Sequence, residues 1–137
     1  MKNQNDLNAD YNTHLQRVKK EIAKRTSFMS NAKWHKLNEV LKSEGVHFLQ
    51  IKFLLDEKIY KLRDGLGYVG ENYVDTMIGV FQFQEVEWIF IPKVVDVGRK
   101  SAFQAIDLEK LEAKLNQAGQ FRYEKHENGL KICAYGL

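Results

Sequence analysis

The stretch Val86-Glu87-Trp88-Ile89-Phe90-Ile91-Pro92 decides the fold class. Read with the two-residue period of a strand, it puts Val86, Trp88 and Phe90 on one face and Glu87, Ile89 and Ile91 on the other. Both faces are largely apolar, which places the strand in the middle of a sheet. Pro92 has no amide to give to a ladder and fits just past the strand's end. Working outward, Val46–Leu55 alternates Leu49, Ile51, Phe53 and Leu55 against Phe48, Gln50 and Lys52, a half-buried strand. Asp56–Glu57 turns into a weaker strand, Lys58–Leu62. On the other side, Lys93–Val97 extends or restarts the central strand before Gly98. Phe121–His126 and Leu130–Tyr135 flank Glu127-Asn128-Gly129, and Asn-Gly between alternating runs is a hairpin signal. Residues 73–83 read two ways. Val69, Tyr73, Met77 and Phe81 fit a helix, whereas the β-branched and aromatic content favours a strand over Ile78–Gln84.

Three helices surround these strands. Leu7, Tyr11, Leu15, Val18 and Ile22 recur at spacings of four, four, three and four. Ser30 is an N-cap for a second helix that carries Trp34, Leu37, Val40 and Leu41 and stops at Gly45. Asp107 caps a third, with Leu108, Leu111 and Leu115 as its stripe, Ile106 as a staple on Leu111, and Gly119 as the stop. Strands in clusters, not alternating with helices, give an α+β fold: an antiparallel or mixed sheet of about five to six strands with two to three helices mainly on one face. Residues 1–27 read as an N-terminal amphipathic helix and 28–137 as a single α+β domain.

Composition excludes several functions. At 137 residues with 44% hydrophobic side chains, the chain buries a core without a covalent staple. One cysteine, Cys133, rules out an internal disulfide framework and any multi-cysteine metal site, and fits a cytoplasmic setting. Apolar runs of a few residues are too short to span a membrane, and MKNQNDLNADYN has no apolar leader core. Charge is uneven. Lys2, Arg17, Lys19, Lys20, Lys24 and Arg25 outnumber Asp6, Asp10 and Glu21 in residues 1–27, and the rest of the chain is neutral. A duplex-binding protein carries its basic patch on the folded body, so nucleic acid is not the expected partner. Cations at the end of the first helix stabilise its macrodipole instead.

Each chemical motif has a plain structural counterpart. Gly65-Leu66-Gly67-Tyr68-Val69-Gly70 matches the G-x-G-x-x-G string of dinucleotide sites, which needs a buried strand before it and a helix after it. The preceding Lys58–Asp64 is heavily charged and the following run is no confident helix. His14, His35, His47 and His126 sit on different elements at no metal-binding spacing, and His35 with Glu39 reads as a helix-surface pair. Cys133, between Ile132 and Ala134, reads as a small core hydrophobe. No cofactor, metal or catalytic group is expected. The partner-binding candidates are Tyr68 and Tyr73, aromatics of the glycine loop, and Glu85 and Glu87, acids beside Trp88 that could face a basic partner.

Asn31-Ala32-Lys33-Trp34-x-x-Leu37, Gln50–Leu55 and Glu85–Pro92 together resemble a family of small, uncharacterised bacterial proteins, over roughly residues 30–95. The chain also looks like the immunity proteins of contact-dependent and other polymorphic toxin systems. That resemblance implies a cytosolic α+β domain that caps a toxin by direct binding, and it transfers no binding residue. Immunity proteins against nucleases are usually acidic, which this chain is not. The expected function is therefore a non-enzymatic protein-binding domain with a cognate toxin as partner. The alternative is a small-ligand or nucleotide-binding domain, or an enzyme, that uses the Gly65–Gly70 loop. The Leu7–Ile22 stripe is expected either to dock on the body or to serve as a homodimer contact.

Overall fold

A computed structural model describes residues 4–99 and 103–137. In chain order the elements are α1 (Gln4–Ala23), β1 (Thr26–Ser27), α2 (Asn31–Ser43), β2 (Leu49–Phe53), β3 (Ile59–Leu62), β4 (Tyr68–Val69), β5 (Tyr73–Thr76) and β6 (Gly79–Gln82). A 3₁₀ turn (Phe83–Glu85) leads into β7 (Val86–Pro92), followed by β8 (Val94–Asp96), β9 (Phe103–Ala105), α3 (Leu108–Ala118), β10 (Tyr123–His126), β11 (Gly129–Cys133) and β12 (Tyr135–Gly136).

The central strand is where the alternation placed it. The large sheet runs β10-β11-β7-β2-β3 with every pairing antiparallel, so β7 has a partner on each side. One row of its core face reads Tyr123, Ile132, Ile89, Ile51 and Tyr60 across the five strands. The neighbouring row, on the opposite face, reads Glu124, Lys131, Phe90, Gln50 and Lys61. The core face meets Trp34, Leu37 and Leu41 of α2 and Leu111 and Leu115 of α3, all buried in one cluster. Each such side chain contributes about 1.5–3 kcal/mol by leaving water, so this layer dominates the stability.

The face assignment shifts at one residue. Phe53 pairs with Val86 but Lys52 pairs with Trp88, so Glu87 is the extra residue of a β-bulge. The bulge sends Val86 inward with Ile89 and Ile91, away from Trp88 and Phe90, with which strict alternation had grouped it. Pro92 closes the strand opposite Gly129 instead of lying beyond it.

The caps match the sequence. Ser30 Oγ accepts from the Lys33 amide at 3.2 Å, Asp107 Oδ1 accepts from the Lys110 amide at 3.1 Å, and Gly45 follows α2 with φ +67°. Residues 73–83 are neither one helix nor one strand. β5 and β6 form a hairpin about Met77-Ile78, and the 3₁₀ turn takes over at Phe83. The last hairpin is also offset by one residue. His126 pairs with Gly129, so the two loop residues are Glu127 and Asn128. Gly129 is required for space: a Cβ there would stand 2.4 Å from the Ile91 carbonyl oxygen.

Helix α1 lies against the end of the sheet. Val18 is buried, β1 pairs with β12, and Arg25 Nη1 reaches Glu87 Oε1 at 3.1 Å. Tyr11 is exposed; the Leu7 side chain lies outside the described set.

Candidate functional site

Strands β4, β5 and β6 form a separate three-stranded sheet whose two faces differ sharply. The inner face puts Val74 and Thr76 into the interior and stacks Phe81 on Phe53 with ring centres 4.0 Å apart. The outer face carries the row Tyr68, Asp75 and Val80, with Tyr73 opposite Gln82 one step along. The rings of Tyr68 and Tyr73 lie 6.2 Å apart. Tyr68 is 66% exposed, Met77 at the hairpin turn 66% and Val80 63%. Gln82 Nε2 donates to the Tyr11 hydroxyl at 3.0 Å, which extends this tyrosine surface onto α1.

The glycine string makes that geometry. Gly67 has φ +74°, and a Cβ there would come within 2.2 Å of the Asp75 carbonyl oxygen, so the chain enters β4 beside β5 only with glycine at this position. A phosphate cradle needs amides left free at the N-terminus of a helix. Here the amides of Gly65, Gly67 and Gly70 donate to the carbonyls of His47, Asp64 and Tyr73, and the string itself contains the two-residue strand β4 where a helix would have to begin. The string serves the close approach of β4 to β5.

The two acidic candidates are engaged inside the protein. Glu85 is buried; its Oε2 accepts from the Gln82 amide at 2.6 Å and its Oε1 lies 2.5 Å from His14 Nε2. Glu87 is half-buried between Arg25 and Lys52, the latter at 3.4 Å. Neither is a free acid on a strand edge, because the 3₁₀ turn and the bulge redirect both carboxylates. The tyrosines are therefore brought together on one surface, and the glutamates are not part of it.

Glu85 and His14 line a cleft of about 240 Å³ under α1, together with Arg17, Asp56 and Phe81. The Tyr60 hydroxyl donates to Asp56 Oδ2 at 2.5 Å, which holds the Asp56 carboxyl below its ordinary range and the Tyr60 phenol above its own. His35 bonds the Glu71 carbonyl at 2.9 Å and lies edge-on to Phe83. Burial, and next the nearby Glu124 carboxylate, push the Cys133 thiol up, so it is a poor nucleophile at neutral pH. Among the described residues no group of three or more His, Cys, Asp or Glu side chains could hold a metal ion, and no helix is long and apolar enough to cross a membrane.

No curated protein and no solved structure matches this chain. One family model does, over residues 17–136, a span that starts within α1 and takes in every strand just described. The chain belongs to that family, DUF6678, a family of unknown function.

Proposed function

We propose that this protein is a binding domain for another protein, and that its contact surface is the outer face of β4–β5–β6 with Tyr11 at its margin. The observation that carries this reading is the exposure of Tyr68, Met77 and Val80 on a small sheet whose other face is fixed in the core. Contiguous apolar groups on a soluble protein's surface mark interaction sites. Tyrosine is enriched among the residues that dominate binding energy, because it buries a large ring at low conformational cost. Asp75 lies within the row and sets a polar contact among the apolar ones.

The biological form of this activity that we propose is immunity: a cognate bacterial toxin is held and neutralised by direct contact. Support comes from the resemblance in size and architecture and from the tyrosine surface. Co-expression with the product of the adjacent open reading frame tests it. A toxin-like neighbour that co-purifies with this chain, and whose growth arrest the chain relieves, is the expected result. A neighbour that neither binds nor has its toxicity relieved overturns the immunity form. A tight complex with a non-toxic neighbour leaves the binding-domain reading standing without it.

A further inference from the structure

Hairpin β8–β9 crosses the far end of the large sheet and is pinned there by one buried side chain. Gln104 Oε1 accepts from the amides of His47 and Phe48, each at 2.8 Å, and Nε2 donates to the Phe48 carbonyl at 2.9 Å. Val95 is the cross-strand partner of Gln104, so both face the sheet. Between this hairpin and the sheet face that carries Phe90 lies a cleft of about 390 Å³. That volume falls within the range of small-molecule sites.

The lining combines apolar walls, the neutral amides Gln50 and Asn128, and two cations. Phe48, Phe90, Pro92, Val94, Val95 and Val97 make apolar walls. Among the described residues of the lining, Lys61 and Arg63, both exposed, are the charged ones, and none is a carboxylate. Among the described residues neither cation belongs to an ion pair. A neutral apolar molecule would fill the walls and leave two cations without a counter-charge. A bare inorganic anion would satisfy the cations and leave the valine and phenylalanine walls wet. A molecule with an apolar body and an anionic head does both, and a guanidinium grips a carboxylate in two-point fashion.

We propose that this cleft binds an organic carboxylate with an apolar body, of the kind of a medium-chain fatty acid, with Lys61 and Arg63 on the carboxylate and the β8 valines against the chain. The site is on a different sheet from the tyrosine surface and is independent of the protein-binding reading.

Calorimetric titration of the intact protein with decanoate, decanol and acetate, each below its self-association concentration, tests this. One decanoate is expected to bind per chain, decanol at least ten-fold more weakly, and acetate not at all. The Lys61→Ala/Arg63→Ala double variant alters two exposed side chains and is expected to fold normally. It should lose at least ten-fold in decanoate affinity while its decanol affinity stays unchanged. Methyl chemical shifts of Val94, Val95 and Val97 should move on decanoate addition. The proposal is overturned by absent decanoate binding, by equal decanoate affinity in the double variant, or by shifts that fall elsewhere in the molecule.

Discussion

At the scale of single residues, Gln104 is a buried polar side chain to which no local pattern in the sequence drew attention. It is buried and satisfies the His47 amide and both backbone groups of Phe48. Replacing Gln104 by leucine leaves those groups buried without partners, at about 1–3 kcal/mol for each that water cannot reach. Gln104→Leu should lower the urea unfolding free energy by about 2–4 kcal/mol, well outside the range of surface substitutions. Asp56 makes a pH-dependent contribution. Its folded carboxyl ionises below the ordinary 3.8, chiefly because Tyr60 donates to it. The stabilisation is therefore complete above that ordinary value and is lost as pH falls through the lower folded value. Tyr60 ionises above the ordinary 10.0, so its share is present below that value and is lost as pH rises through the folded one. Asp56→Asn should flatten the stability curve on its acid side, a difference that urea midpoints measured from neutral pH into acid will show. Cys133 should react slowly with a disulfide reagent in the native protein and quickly in urea, because its thiol is partly buried and held protonated.

At the scale of elements, α1 is the least well anchored helix. Among its residues with described side chains, Val18 alone is buried, against four in α2. One buried valine is worth about 1.5–3 kcal/mol, so much of α1's attachment rests on His14–Glu85, Arg25–Glu87 and the β1–β12 pair. Hydrogen exchange should accordingly show α1 amides opening at lower free energy than those of α2 and α3; equal protection across all three would contradict this. The elements that local pattern revealed are those whose signals are local: both capped helices, the double-faced central strand and the last hairpin. What it missed depends on contacts distant in sequence. The Glu87 bulge is visible only when β2 lies beside β7, and β9 is three residues long with Gln104 as its anchor to His47 and Phe48. Gly129 was read as a turn residue because Asn precedes it, yet its role is to let the Ile91 carbonyl approach.

At the scale of the whole molecule, a single core between α2, α3 and the large sheet supports two surfaces with different chemistry. One is the tyrosine face of β4–β5–β6, and the other is the apolar cleft under β8 with Lys61 and Arg63 beside it. The exposure of Tyr68 was legible because a glycine-rich stretch between apolar runs lies on the surface, whereas Tyr73 is half-buried. The burial of Glu85 and the pairing of Glu87 with Arg25 and Lys52 were not legible, because the spacing of acids along one strand does not reveal which distant side chains their carboxylates will meet. The central claim is that the tyrosine face makes the contact with the partner protein, and Tyr68→Ala tests it most directly. Tyr68 is two-thirds exposed, so the substitution should change stability by no more than about 0.5 kcal/mol. The measurement is the partner's dissociation constant for wild type and Tyr68→Ala, using the protein that co-purifies with this chain. A loss of ten-fold or more at unchanged thermal stability is the expected result, and an unchanged constant would contradict the account.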